Sequence, residues 1–158
     1  MATNARAVPD GYHTVTPYLS VQNAAKAIEF YKKALGAEQV VRMDMPGGKV
    51  GHAELQIGDS RIMLADEFPD MPDIVAKSPA SLGGTTFGIN LYVEDVDARF
   101  KRAVDAGATV KRPLKNQFYG DRSGTIQDPF GHVWTISTHV EDVSPEEMKR
   151  RLASMPGA

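Results

Sequence analysis

The chain has 158 residues, which suits one domain or two small modules that share a core. Lysine and arginine number 18 and aspartate and glutamate number 20, so the chain lacks the basic excess that nucleic-acid binding requires. The absence of cysteine excludes disulfides, thiolate metal ligands and a cysteine nucleophile. No apolar run approaches the about 18–20 residues of a membrane span, and residues 1–11 lack the apolar stretch of a signal peptide. We therefore predict a cytoplasmic protein that binds neither nucleic acid nor membrane.

The first half of the chain, residues 12–66, is predicted to form a β-α-β-β-β module. Residues 15–21 alternate between apolar and polar side chains and are rich in β-forming types, which predicts a strand. Asn23 is suited to cap the helix that follows. Gly36 is suited to end it, because glycine adopts a left-handed backbone at low cost. Three further strands are predicted at residues 39–45, 50–57 and 61–65.

The second half, residues 86–139, repeats this order of elements. Asp95 is suited to cap its helix and Gly107 to end it, after a strand at residues 87–93. The remaining strands are predicted at residues 109–113, 123–127 and 133–138. A shared order of strands, caps and helix-ending glycines indicates a duplicated module. The predicted fold class is α+β, with a curved mixed sheet that carries helices on its outer face.

The domain organisation follows from these two modules. We predict one domain over residues 1–140 and a short C-terminal helix with a tail over residues 141–158, since Ser144 and Glu147 have capping-box spacing. Residues 67–85 link the modules and are rich in proline and glycine. A functional lid and an ordinary mobile linker both explain a loop of this length, and a mobile lid is our prediction.

The predicted strands have one apolar and one polar face, because side chains alternate along a strand. The apolar face is the natural seat of the two helices, and Trp134 is predicted to lie there in the core. The polar face is either the solvated back of an open sheet or the lining of a ligand cleft. Its composition favours the cleft, because it combines titratable, amide and aromatic side chains: Tyr18, His52, Glu54, Gln56, Asn90 and Tyr92.

Several ordered motifs resemble the vicinal oxygen chelate superfamily, which includes glyoxalase I, bleomycin-resistance proteins and extradiol dioxygenases. The resemblance extends over roughly residues 12–152. It rests on residues 17–21 with 27–36, on residues 52–58 with 62–66, and on residues 128–134. Residues 119–124 and 138–147 are typical of the PhnB-like branch. The resemblance implies two curved half-sheets that close a cup around a small molecule, and a homodimer.

The resemblance also indicates where metal ligands would lie. Metal-dependent members place them near positions that here hold Thr16, Ile62, Gly88 and Thr135, none of which is a competent ligand for a transition metal. We therefore expect no cofactor and no metal at the standard positions. A divalent metal remains an alternative, at a nonstandard site formed by His52 and Glu54 with His132 or His139.

The sequence leaves two functions open. The first is a binding protein that holds a small, flat molecule in the cup without the standard metal centre. The second is a lyase, isomerase or dioxygenase in which His52 and Glu54 are catalytic, with a nonstandard metal or by metal-free acid–base chemistry. Arg122 is predicted either to hold a ligand carboxylate or phosphate, or to pair with Asp121 or Asp128. The predicted ligand-binding residues are Thr16, Tyr18, Gln56, Asn90, Tyr92, Phe118, Tyr119, Arg122 and Gln127.

Overall fold

The computed structural model of the chain describes residues 5–71 and 76–155. The chain divides into two compact units, Met1–Thr85 and Thr86–Ala158. Each unit contains a four-stranded mixed sheet, so the α+β class and the two β-α-β-β-β modules are confirmed. Of the predicted lid, residues 72–75 lie outside the described residues, and the mobility of the segment stays a prediction.

The first unit contains four strands and one helix in the predicted order, and a second, short helix follows them. Its sheet has the order β1-β4-β3-β2, in which β1 runs parallel to β4 and the other pairs are antiparallel. Helix α1 packs against one face of this sheet and buries its Ile28 and Tyr31 completely. The elements are β1 (Tyr18–Val21), α1 (Ala24–Leu35), β2 (Glu38–Asp44), β3 (Val50–Ile57), β4 (Ser60–Asp66) and α2 (Pro79–Leu82).

The first strand is shorter than the sequence predicts. It begins at Tyr18, and Val15 lies outside it with 83% of its surface exposed. Pro17 immediately precedes the strand. It has no backbone N–H to give to a ladder, although its carbonyl still accepts a hydrogen bond from the Met63 amide. The alternation of residues 15–17 therefore does not extend the strand.

One buried carboxylate joins three elements of the first unit. Asp66, at the end of β4, is 5% exposed. Its Oδ1 accepts a hydrogen bond from the Ala24 amide at the start of α1, at 2.8 Å. Its Oδ2 accepts one from the Val50 amide at the start of β3, at 2.7 Å. A helix start has unpaired N–H groups, and this carboxylate satisfies one of them while it fixes the helix on the sheet.

The second unit repeats the topology, with the strand order β5-β8-β7-β6. Here the Thr138 hydroxyl of β8 takes the place of the carboxylate: it accepts a hydrogen bond from the Val96 amide at 3.0 Å and donates one to the Val93 carbonyl at 2.6 Å. The elements are β5 (Gly88–Tyr92), α3 (Val96–Asp105), β6 (Thr109–Asn116), β7 (Asp121–Gln127), β8 (Val133–His139) and α4 (Pro145–Ala153). The predicted C-terminal helix is confirmed as α4.

Trp134 lies in the core of the second unit, as predicted, with 1% of its surface exposed. Its Nε1–H donates to Oδ2 of Asp128 at 2.9 Å. The other oxygen of Asp128 accepts hydrogen bonds from the Phe130 and His132 amides, which holds the turn between β7 and β8. Strand β6 extends three residues beyond the prediction in spite of Pro113, because it lies at the edge of the sheet, where a missing N–H is tolerated.

Across residues 5–71 and 76–155, no helix is both long enough and apolar enough to cross a membrane.

We expect Asp66→Ala to lower the free energy of unfolding by about 2–4 kcal/mol, because it leaves two buried amides without an acceptor. Urea unfolding followed by circular dichroism measures this change. Asp105→Ala is the matched control, since Asp105 is an exposed carboxylate that pairs with Lys101 on the same helix. Equal losses of stability in the two variants would contradict the structural role of Asp66.

Candidate functional site

The open face of the first sheet is the one that α1 does not cover. Tyr18 of β1 and Glu54 of β3 both pair in register with Met63 of β4, so their side chains share this face. His52 and Gln56 lie two residues on either side of Glu54 along β3 and point the same way. The structure therefore brings together four of the predicted site residues within one unit.

A chain of hydrogen bonds connects three of these side chains. The Tyr18 hydroxyl lies 2.9 Å from Nδ1 of His52, and Nε2 of His52 lies 3.2 Å from Oε1 of Glu54. An ionised carboxylate only accepts hydrogen bonds, so Nε2 carries a hydrogen. In the neutral imidazole Nδ1 is then the acceptor, and the Tyr18 hydroxyl is the donor. Proton positions along the chain are thus fixed by the carboxylate at its end.

Arg61 was not among the predicted site residues, and it lies beside the second carboxylate oxygen of Glu54. Its Nε donates to Oε1 of Gln56 at 3.1 Å, and its Nη1 lies 3.6 Å from Oε2 of Glu54. Arg61 pairs in register with Gln56, which places its side chain on the open face. The alternation of β4 contained this signal, because Arg61 and Met63 are out of step with the buried Ile62 and Leu64.

Tyr12 was also missed, and it covers the arginine. The Arg61 guanidinium lies 4.6 Å from the centroid of the Tyr12 ring, a cation–π contact. The adjacent Gly11 has a φ of 81°, and a Cβ at this position would lie 2.6 Å from the guanidinium. Glycine therefore permits the close approach of this segment to Arg61. No helix or strand pattern marks residues 11–12, so sequence periodicity gave no indication of this contact.

Glu54 is held in its ionised form. The Tyr12 hydroxyl lies beside the Glu54 carboxylate without forming a complete hydrogen bond. It is nevertheless the largest cause of the lowered pKa of Glu54. Burial of the carboxyl acts in the opposite direction, while the hydrogen bond from His52 and the charge of Arg61 lower the pKa further. Burial raises the pKa of Tyr18, so its phenol stays protonated at neutral pH.

Apolar side chains flank the polar chain. Val41 of β2 pairs with Glu54, and Met43 pairs with His52, so both lie on the open face beside the polar residues. Met63 lies on the other side of Glu54, between it and Tyr18. Tyr18 is 46% exposed. The face thus offers a polar line bordered by flexible apolar side chains and one accessible aromatic ring.

The open face of the second sheet carries uncharged groups at the matching positions. Asn90 pairs with Thr135, whose hydroxyl lies 3.0 Å from the Thr125 hydroxyl on β7. Gln127, another predicted residue, donates from Nε2 to the Gly131 carbonyl at 3.3 Å. These side chains supply hydrogen-bonding groups without a titratable group, whereas Tyr92, Asp121 and His139 lie elsewhere on the same face.

Tyr92 takes part in a separate cluster near the end of the second sheet. Its hydroxyl donates to Oδ2 of Asp121 at 2.8 Å, and Nδ1 of His139 lies 2.8 Å from Oδ1 of the same carboxylate. The hydrogen bonds to Asp121 and to Asp142 raise the pKa of His139. The hydrogen bond to Asp121 raises the pKa of Tyr92. Tyr92 is 62% exposed, so its ring stays accessible although its hydroxyl is engaged.

Arg122, a predicted ligand-binding residue, binds a carboxylate on the neighbouring helix. Its neighbours Asp121 and Ser123 face the open side of the second sheet, so Arg122 points to the helix side. There its guanidinium binds both carboxylate oxygens of Asp97 on α3, at 2.6 and 2.8 Å. The prediction that it pairs with Asp121 or Asp128 is therefore wrong, and its role in holding a ligand carboxylate or phosphate stays a prediction.

The other predicted residues lie outside the sheets. Phe118 and Tyr119 form the turn between β6 and β7, where their rings are in edge-to-face contact at 5.2 Å. Thr16 precedes β1 and is half-buried. The structure does not place these three residues on a sheet face.

The residues present do not fit a metal centre of the superfamily kind. Ile62, at one standard position, is buried on the helix side and has no donor atom. Both ring nitrogens of His52 are engaged, by Tyr18 and by Glu54. Within the part of the chain that the structure describes, no three His, Asp or Glu side chains are grouped as metal ligands. The donor set suits hydrogen bonding and proton transfer better than metal binding.

The lowered pKa of Glu54 predicts a pH dependence of stability. A carboxyl whose folded pKa lies below 4.5 stabilises the fold above about pH 4.5, and this contribution is lost as the pH falls further. We expect the stability difference between the wild type and Glu54→Gln to shrink between pH 6 and pH 3, as measured by urea unfolding. Glu29→Gln, on the exposed surface of α1, is the matched control. A difference that stays constant over this range would contradict an ionised, stabilised Glu54.

Comparisons with known proteins agree with this fold. An uncharacterized protein of Mycobacterium bovis is 44% identical over 140 residues, which cover 89% of this chain and 92% of that protein. The crystal structure of TioX from Micromonospora sp. ML1 is similar, with 26% identity and a TM-score of 0.64, over 81% of this chain and 99% of that one. The PhnB protein from Bacillus cereus shares the fold, with 18% identity and a TM-score of 0.61, over 80% of this chain and 99% of that one. The family model of the glyoxalase/bleomycin resistance protein/dioxygenase superfamily matches residues 12–136, and the chain belongs to this superfamily.

Proposed function

We propose that the protein binds a small organic molecule on the open face of its first sheet. The observation that carries this proposal is the hydrogen-bonded chain of Tyr18, His52 and Glu54, bordered by apolar side chains. A plain solvated sheet face carries charged side chains that do not depend on one another. Here three polar groups fix each other's orientation on a face that also holds Met43 and Met63, which is typical of a ligand-binding surface.

The chemistry of this face defines the ligand. A planar part of the molecule stacks on the accessible Tyr18 ring, while methionine side chains adapt to its shape. Hydrogen-bond donors of the ligand meet the carboxylate of Glu54. The charge of Arg61 balances that of Glu54, so the pair favours a neutral, polar group over a full anion.

Further ligand contacts are proposed from the sequence. Gln56 belongs to the same face of the first sheet, and Asn90, Tyr92 and Gln127 present polar or aromatic groups on the second. Thr16, Phe118 and Tyr119 stay predicted contacts outside the sheets, and Arg122 stays a predicted contact for a ligand carboxylate or phosphate. The homodimer and the cytoplasmic location also stay predictions, and the dimer is supported by the superfamily, whose members commonly form dimers.

Binding is tested by a thermal-shift screen of small aromatic and heteroaromatic compounds, followed by calorimetry on the hits. We expect Tyr18→Ala to weaken binding of a hit about tenfold, because it removes the stacking surface. Glu54→Gln keeps the shape and removes the charge, so we expect a several-fold loss. Glu29→Gln, whose side chain lies on α1, is the control and keeps the affinity. A hit that binds all four proteins equally would show that this face is not the binding site.

A second candidate function is a metal-free lyase or isomerase that uses His52 and Glu54. The observation that favours it is the position of His52 between a phenol and an ionised carboxylate, which is an arrangement for moving a proton. The superfamily contains enzymes as well as binding proteins, so membership alone does not separate the two functions.

Elemental analysis and turnover of a bound hit separate the candidates. We expect a metal-to-protein ratio near zero after incubation with Zn²⁺, Ni²⁺, Mn²⁺ and Fe²⁺ and gel filtration. If the protein is an enzyme, Glu54→Gln abolishes turnover and changes the affinity only several-fold. A binding protein shows no turnover in either form. A stoichiometric metal would overturn the hypothesis of a metal-free site for both functions.

A further inference from the structure

The geometry points to Tyr18 as a reactive hydroxyl: we propose that it takes a proton from the bound ligand while His52 takes the proton of Tyr18. This inference rests on the proposed function in one respect, since the ligand must lie on the same face. Tyr18, which was predicted as a stacking surface, thereby gains a chemical role. The class of ligand follows from this role. The ligand is a molecule with an acidic hydrogen beside a carbonyl group, or with an enolic or phenolic O–H.

The hydrogen bonds along the chain of Tyr18, His52 and Glu54 run in one direction. Glu54 accepts from Nε2 of His52, so the lone pair of Nδ1 faces the Tyr18 hydroxyl at 2.9 Å. A phenol in this position is hydrogen-bonded to a base rather than to water. The order phenol, imidazole, carboxylate is that of a hydroxyl, a base and an orienting group in nucleophilic catalysis.

Three further side chains support Glu54. Arg61, Gln56 and Tyr12 hold the carboxylate side of the chain from β4, β3 and the segment before β1. Glu54 therefore stays charged and in place when His52 gains a proton, and an ionised carboxylate stabilises an imidazolium beside it. Burial keeps Tyr18 protonated at rest, so its proton leaves only with the help of His52.

Two protons move together in the proposed transfer. The acidic hydrogen of the ligand moves to the Tyr18 oxygen as the hydrogen of Tyr18 moves to Nδ1 of His52. The ligand keeps the electron pair as an enolate or phenolate, and His52 becomes an imidazolium beside Glu54. The proton then returns to another atom of the ligand or leaves to water, which restores the neutral imidazole. No oxidant, reductant or further reactant is required.

Tyr92 offers a matched comparison within the same chain. It is also exposed, and its hydroxyl also donates a hydrogen bond at 2.8 Å, but the acceptor is the carboxylate of Asp121. A carboxylate accepts the hydrogen bond yet is a far weaker base than an imidazole, so it holds the phenol without removing its proton. The two tyrosines therefore differ in the partner of the hydroxyl more than in accessibility.

The experiment labels the full-length protein with phenylmethanesulfonyl fluoride and follows each tyrosine by peptide mapping in a mass spectrometer. In this reaction the Tyr18 oxygen bonds to sulfur, its proton passes to His52, and fluoride leaves. We expect Tyr18 to react at least tenfold faster than Tyr92. His52→Gln removes this advantage, Glu54→Gln reduces it several-fold, and Glu29→Gln leaves it unchanged. Equal rates at the two tyrosines, or a Tyr18 rate that ignores His52→Gln, would overturn the proposal.

A second measurement keeps the proposal testable if a variant does not fold. Nitrogen-15 NMR of the wild type at neutral pH reports which ring nitrogen of His52 carries the hydrogen. A protonated Nε2 and a bare Nδ1 support the proposal, whereas a protonated Nδ1 contradicts it. Neither measurement needs a ligand, so a failure here leaves the binding experiments intact, and a failure to bind any compound leaves the labelling result standing.

Discussion

The Asp66 carboxylate fixes how the first unit is assembled. By accepting the amides that begin α1 and β3, it sets the helix on one face of the sheet and leaves the other face open. The same residue ends β4 opposite Val21 of β1, so it also anchors the parallel register of these strands. That register places Tyr18 and Glu54 across Met63 from each other. The hydrogen-bonded chain on the open face is therefore a consequence of a contact on the buried face.

The two units show how one topology carries different chemistry. Asp66 and Thr138 occupy corresponding places, because each comes from the last strand of its unit and caps the start of the helix. When residues are counted along the strands from these two caps, Glu54 corresponds to Thr125 and Tyr18 corresponds to Asn90. At these matched positions the first unit carries titratable side chains, while the second carries hydroxyl and amide groups. Burial constrains the inner face of both sheets, and their open faces are free to diverge.

The sequence predicted the order of the elements, both modules and the core position of Trp134, because these follow from periodicity, capping residues and turn residues. It also predicted that Tyr18, His52 and Glu54 share a face, because side chains alternate between the two faces of a strand and the alternation is found by counting residues. It did not predict Arg61 and Tyr12, whose contacts depend on strand register and on a segment without periodicity. The predicted carboxylate partner of Arg122 was wrong for a related reason. Its actual partner Asp97 lies on α3, and only the fold shows that this helix brings Asp97 beside β7.

The stacking of Tyr12 on Arg61 has a practical consequence for anyone who shortens or tags this chain. Gly11 and Tyr12 precede every helix and strand, so a boundary drawn from the elements alone would remove them. Such a truncated protein would retain its sheets and core, yet the Glu54–Arg61 pair would be open to water on the side that Tyr12 covers. Its carboxylate would become easier to protonate and its arginine freer to move. An assay on that shorter protein would report a weakened site in a correctly folded molecule.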